Sequence, residues 1–236
     1  MLNHNNIKFY AIDEYSENVV RPPSPSSEYI PKWWKEMDPY FGENKLIVQN
    51  GFPNLTAKKC FPMLDAISIG YMIPLWADVS VTTRSGMPKI DWKINSVVFD
   101  THSFDMTKDV DVPDGHSYLA YKMHNKFIIK TPPGWSCLFI HPMGHTDLPF
   151  YSMPAVVDTD RHDDVINPVI WIKNGFEGII EEGTPIVQII PFKRESWKAE
   201  YLKISGKKIY YNQQNGIAKT IVNHYSKKIR SKREYK

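Results

Sequence analysis

The densest gathering of chemistry-bearing residues is Val156-Val157-Asp158-Thr159-Asp160-Arg161-His162-Asp163-Asp164, four carboxylates beside an arginine and a histidine. Clustered carboxylates can bind a hard cation or hold a general base. The spacing matches no EF-hand loop, and the same composition makes an ordinary solvated turn. His141 and His145 stand four apart with Asp147 close by, a spacing that serves a metal when it lies on one helix. Pro142 and Gly144 lie between them and break such a helix. His162 and Asp164 with the distant His224 have the composition of a two-histidine, one-carboxylate iron site, but His224 belongs to a lysine-rich stretch. No metal site is expected. Cys137 reads as a core thiol in mid-strand, and Cys60 follows Lys58 and Lys59, whose charge favours a thiolate. Neither is paired locally with a histidine, and the chain has no Gly-x-Ser-x-Gly elbow or phosphate-binding glycine loop. No cofactor is expected.

The elements that must position these residues are short. From Thr131 to Trp197, apolar runs alternate with turn chemistry. Trp135–His141 opens after Pro132-Pro133-Gly134, Ala155–Asp158 is a second strand, and Pro185–Phe192 follows Glu181-Glu182-Gly183. Val169–Lys173 and Phe176–Ile180 flank Asn174-Gly175, the pair best suited to a two-residue hairpin turn, with Trp171 and Ile179 on one side of the paired strands. Upstream, Ile7–Ile12, Tyr71–Pro74, Asp78–Thr83, Ile90–Phe99, Tyr118–Met123 and Lys126–Lys130 read as strands, and Met63–Ile69 as a helical turn. Asp100–Gly115, with five Asp, reads as a loop. Arg21–Ser27 (RPPSPSS) is an extended arm, since its prolines forbid a helix interior. Its lack of an apolar stripe predicts that a neighbouring copy or another protein orders it. After Pro31 a short helix carries Trp33 and Trp34, which cannot share one face, so one enters the core and the other covers the arm or meets a partner.

Aromatic residues are 13% of the 236-residue chain and hydrophobic residues 42%, enough for a sizeable core. The first residues lack the pattern of a secretory signal, and the longest apolar run, Ala66–Ala77, is broken by Gly70 and Pro74. Two cysteines make no disulfide framework, which suits a reducing compartment. The net charge of +3 divides unevenly: Lys198 onward carries +9, and residues 1–197 carry −6. That basic segment is expected to form a hairpin (Glu200–Ile204, Lys208–Tyr211) and a helix (Ile217–Arg230) with Ile217, Ile221, Tyr225 and Ile229 on one stripe. The stripe would dock on its own chain. Lys227, Lys228 and Arg230 occupy other faces, a candidate surface for an acidic partner or nucleic acid.

Ala155-Val156-Val157-Asp158-Thr159-Asp160, Val169–Ile172, Phe176 and Gly183-Thr184-Pro185-Ile186-Val187-Gln188-Ile189 resemble the C-terminal half of trimeric dUTPases and dCTP deaminases. The resemblance implies a β-clip fold, with Asp158 as base and Gln188 as a sheet or nucleotide-side residue. That family's Tyr-Arg-Gly after the aspartate is here Arg161-His162-Asp163, and its upstream phosphate loop is replaced by His141-Pro142-Met143-Gly144. The likeness therefore argues for the fold and against the activity. Taken whole, the chain is similar to an uncharacterised protein family of tailed phages and bacteria. The similarity lies in Lys59-Cys60-x-Pro62, Gly70-Tyr71-x-Ile73-Pro74, Pro133-Gly134-Trp135-Ser136, His141-Pro142, Val157-Asp158-Thr159-Asp160, Gly183-Thr184-Pro185-Ile186 and Pro191-Phe192-Lys193-Arg194-Glu195-x-Trp197.

The expectation is a mainly-β chain with a β-clip-like or small barrel or sandwich core over 55–197. An arm and short helix (1–54) precede it, and a basic hairpin–helix segment (198–236) follows. Function is expected to be structural or assembly-related, as an oligomer with itself or other virion proteins, made in a host cytoplasm and not embedded in a membrane. Trp33, Trp34, Lys227, Lys228 and Arg230 are its candidate contacts. Asp158 is expected to hydrogen-bond backbone amides in a turn, with no basic pocket beside it. The competing expectation is a dUTPase/dCTP deaminase-related hydrolase using Asp158 and Gln188.

Overall fold

Proline and glycine decide where this chain reverses, and the apolar runs between reversals become strands. The computed structural model describes residues 5–42, 48–49, 52–202, 206, 229–231 and 234–236. In chain order the elements are β1 (Lys8–Ala11), α1 (Glu14–Asn18), β2 (Ser24–Pro25), α2 (Lys32–Glu36), β3 (Val48–Gln49), β4 (Phe52–Pro53), α3 (Phe61–Ser68), β5 (Tyr71–Pro74), β6 (Val79–Arg84), β7 (Met87–Trp92) and β8 (Phe99–Thr101). There follow α4 (Phe104–Thr107), β9 (His116–Met123), β10 (Phe127–Lys130), β11 (Trp135–Ile140), β12 (Phe150–Ser152), β13 (Ala155–Val157), β14 (Val169–Lys173), β15 (Gly178–Ile180) and β16 (Pro185–Lys193). The chain is mainly β, with several antiparallel sheets and no closed barrel among the described residues.

Two compact units share the chain, and neither is a continuous stretch: Met1–Tyr29 with Ile67–Arg194 and Tyr235–Lys236, and Ile30–Ala66 with Glu195–Glu234. The first unit holds sheets of order β13-β11-β16-β5-β2, β12-β14-β9-β8, β15-β6-β7 and β1-β10. Their inward side chains form one core that includes Ile73, Val79, Met123, Ile129, Phe139 and Ile189. Each large side chain so buried stabilises the fold by about 1.5–3 kcal/mol. In the second unit β3 pairs with β4, Tyr40 bridges to Leu55, and α2 buries Trp34.

Three expectations are corrected. The proline arm is ordered within its own unit: Ser24 and Pro25 pair with Met72 and Tyr71 as β2, and Ser26, fully buried, donates its amide to Gly70 O at 3.0 Å. Among the described residues β2 is an edge strand, so Pro25 need not supply a ladder donor on its outer side. The Asn174-Gly175 turn exists, with Gly175 at φ 72° and Phe176 N donating to Lys173 O, but it makes no hairpin. β14 pairs with β12 and β9, whereas β15 pairs with β6. Trp171 is buried and Ile179 is 66% exposed, because Phe176 turns onto the core and Gly178, at φ 152°, redirects the chain to another sheet. The aspartate-rich loop contains a helical turn, α4.

The expected Lys208–Tyr211 strand and most of the Ile217–Arg230 helix, with its apolar stripe apart from Ile229, lie outside the described residues. Among the described residues no helix is long and apolar enough to cross a membrane.

Candidate functional site

Three strand ends meet around Asp158. In the register Cys137 lies opposite both Val157 and Pro191, and Trp135 opposite Lys193. The start of β11 therefore lies beside the ends of β13 and β16, and the next residues of each strand are brought together. Beyond β13 the chain turns, with the amides of Arg161 and His162 both donating to Asp158 O at 2.9 Å. Beyond β16, Arg194 N donates to Gly134 O at 2.8 Å, which aims its side chain across the β11 entry.

A closed network of charge results. Arg194 meets Asp160 in a fork, Nη1 to Oδ1 at 2.8 Å and Nη2 to Oδ2, while Gly134 N also donates to Asp160 Oδ2 at 2.8 Å. Ser136 Oγ donates to Asp158 Oδ1 at 2.6 Å, and Arg194 Nη1 lies 3.2 Å from the same oxygen. Nη1 also reaches Trp135 O and Ser136 Oγ, each at 3.0 Å. Its two hydrogens cannot serve four acceptors at once, so Nη1 has no donor to spare. The Asp160 side chain is 6% exposed, and Arg194, with lesser help from Gly134 N and Arg161, holds it far below the usual carboxylate range. Asp160 in turn raises Arg194. Asp158 is the outermost member, with 52% of its side chain exposed.

Asp158 thus differs from expectation. Its carboxylate takes a hydroxyl and an arginine, and the turn amides bind its carbonyl oxygen instead, because β13 ends just before it and leaves that carbonyl unpaired by the sheet. A basic side chain does adjoin it, but one already bound. Below the knot, Thr131 Oγ1 and Thr159 Oγ1 are 2.7 Å apart, and Thr159 Oγ1 donates to the buried Cys137 Sγ at 3.4 Å. Burial pushes the Cys137 thiol up to about 11.

Gln188 is elsewhere. It lies opposite Ile140 and Met72 in the middle of its sheet, fully buried. Its Oε1 accepts Met143 N at 2.9 Å and its Nε2 donates to Ile69 O at 2.7 Å. Ile140 is four residues along β11 from Ser136, roughly 13 Å at strand rise, so Gln188 and Asp158 do not share a pocket. Arg84, on β6, is exposed and takes no part in the knot.

The histidines do not converge on a metal. His141 Nδ1 accepts Ser152 N at 3.2 Å and its Nε2 donates to His145 O at 3.0 Å, which fixes a neutral ring stacked on Tyr151. Burial pushes its pKa down. His145 Nε2 lies 2.7 Å from Tyr29 O, Asp163 pairs with Lys130, and His162 bonds Asp164 O within its own turn. Among the described residues no group of three or more His, Cys, Asp or Glu is placed to hold a metal.

Of the candidate contact residues, Trp34 is 3% exposed and Trp33 37%. Arg230 is engaged in its own unit: it forks onto Asp65, with Nε at 3.0 and 3.1 Å, and covers the Phe61 ring at 5.2 Å. Lys227 and Lys228 lie outside the described residues. Sequence reading singled out Asp158 and Gln188 and missed the pairing of Asp160 with Arg194. The available signal was the Pro132-Pro133-Gly134 turn, which sets the start of β11 and so the register that brings residues 34 apart together. No family model, curated protein or solved structure matches the chain.

Proposed function

We propose that the chain is a non-enzymatic structural or assembly protein of the phage type, acting as an oligomer in a larger particle, with a β-clip-like core over residues 55–197. The observation that carries this reading is the engagement of Arg194 Nη1 and Nη2 by Asp160 and the entry of β11. A nucleotide hydrolase needs cationic donors turned toward phosphate and a base open to water. Here the arginine paired with Asp158 directs Nη1 and Nη2 to Asp160, Trp135 O and Ser136 Oγ. Gln188, the other residue that the hydrolase reading requires, ties the Ile69 and Met143 backbones together. Open sheet edges support association: among the described residues β13 pairs on one side only, and Val156 is 61% exposed. Lys227 and Lys228 would then serve an acidic or nucleic-acid partner.

The second reading, a dUTPase/dCTP deaminase-related hydrolase with Asp158 as base, draws on the half-exposed Asp158 carboxylate. Sedimentation of the purified chain over a wide concentration range, with dUTP and dCTP turnover assays, separates the two. A mass that grows with concentration and no turnover is the expected result. Turnover abolished by Asp158→Asn would overturn the assembly reading.

A further inference from the structure

Among the described residues β1 is paired on one edge only, with β10. Ile12 N donates to Lys126 O, and the register sets Tyr10 opposite Ile128 and Lys8 opposite Lys130. Antiparallel ladders alternate, so residues 8, 10 and 12 direct their backbone groups at β10, and Phe9 and Ala11 direct theirs at the free edge. Beside that edge is a groove of about 390 Å³ whose lining includes Phe9, Tyr10, Ala11, Glu17, Val20 and Phe127. Phe9 and Ala11 pack toward the core together with Phe127, which lies opposite Ala11, so the groove adjoins that face of β1 and also meets Tyr10. The groove therefore adjoins Phe9 and Ala11, whose N–H and C=O groups are unpaired among the described residues.

The lining side chains are mostly apolar, about half of the exposed wall is polar, and Glu17 is the single carboxylate in the lining. Glu17 is exposed and has no cationic partner among the described residues. On the outer face of β1, Tyr10 and Ile12 are 48% and 44% exposed, offering cross-strand neighbours to anything laid alongside. We propose that β1 accepts an extended segment of a partner protein by strand addition. The segment would carry apolar side chains at alternate positions, filling the groove, and a lysine or arginine facing Glu17. Main-chain hydrogen bonds to Phe9 and Ala11 supply affinity, and the groove and Glu17 supply selection. This deepens the assembly reading by giving it a surface and a partner chemistry.

The test uses the full chain, isotope-labelled, and an acetylated, amidated Lys-Val-Lys-Val-Lys-Val hexapeptide, with Glu-Val-Glu-Val-Glu-Val and a backbone N-methylated lysine peptide as controls. Strand addition slows amide exchange at Phe9 and Ala11 by at least about tenfold and leaves Tyr10 unchanged. Glu17→Gln weakens the lysine peptide about three- to fivefold, as expected for an exposed ion pair, and Glu17→Lys weakens it further. The N-methylated control binds poorly because it lacks the ladder donors. Absence of binding at millimolar peptide, binding without protection of Phe9 and Ala11, or equal binding of the glutamate peptide each overturns the proposal. The two ideas fail separately. A chain that assembles but ignores the peptide loses the groove alone, and a monomeric chain that binds the peptide loses only the oligomer.

Discussion

Arg194 and Asp160 face each other fork to fork, with Nη1 2.8 Å from Oδ1 and Nη2 on Oδ2. The pair ties the end of β16 to the turn after β13, and Gly134 N adds the entry of β11 to the same carboxylate. Because the folded state depresses the Asp160 pKa, its contribution is fully present above the usual carboxylate value. It is lost as pH falls through that value toward the folded one. Urea midpoints of the wild type should therefore fall more steeply below pH about 4 than those of Asp160→Asn. At neutral pH Asp160→Asn should be the less stable protein, and by more than Asp163→Asn, whose carboxylate is 87% exposed. Parallel pH profiles for wild type and Asp160→Asn would remove the pair from the acid response.

Strand positions were legible because local chemistry writes them. Tyr71–Pro74 is bounded by Gly70 and lies as β5 where it was expected, and Trp135 starts β11 directly after Pro132-Pro133-Gly134. Partner choice was not legible. Asn174-Gly175 encodes a turn, but Phe176 on the core and Ile180, 3% exposed, decide that β15 joins β6 instead of β14. The arm misled for a related reason: its order comes from an edge position beside Tyr71, which no periodicity in RPPSPSS records. At the site, the sequence displayed Asp158 but not that Arg194 would be consumed by Asp160, since such pairing exists only once the register is set.

Gln188 should prove a structural tether. Gln188→Leu keeps the volume but strands the Met143 N–H and the Ile69 carbonyl that the amide now satisfies. A loss of about 1–3 kcal/mol in urea denaturation is expected for buried groups left unpaired. Stability unchanged by the substitution would contradict this role.

Gly70 is the glycine whose replacement should matter most in this sheet. It has φ 74°, and a Cβ there would collide with the Ile189 carbonyl. Gly70→Ala should cost about 3 kcal/mol or more, since backbone strain and a backbone clash add. Gly134→Ala shares the positive φ, at 85°, but opens onto free space, so it should cost about 1 kcal/mol. Thermal melts of the two variants give the comparison, and equal losses would discount the clash.

Cys137 should be inert in the folded chain. The residue is fully buried and burial pushes its thiol up to about 11. Cys60 is only partly buried. Iodoacetamide at pH about 8 should add one label to the native chain, at Cys60, and a second only in denaturant. Intact-mass and peptide analysis read this directly, and rapid native labelling of Cys137 would mean that its end of β11 opens readily.

Trp33 and Trp34 separate packing from association. They are adjacent on α2, so about 100° of helix divides their directions. Trp34 is 3% exposed and lies 5.8 Å beneath the Lys58 ammonium, whose Nζ also donates to Lys35 O at 3.1 Å. Trp34→Ala removes a buried ring and a cation–π partner together, so a loss of about 3–5 kcal/mol is expected. Trp33 packs edge-on against Trp34 at 5.7 Å yet keeps 37% of its surface in solvent, and Trp33→Ala should cost about 1 kcal/mol. If Trp33 is a contact of the assembly, that variant keeps its circular dichroism spectrum and sediments at lower mass than the wild type. An unchanged sedimentation profile would confine Trp33 to packing on Trp34 and leave association to the open strand edges.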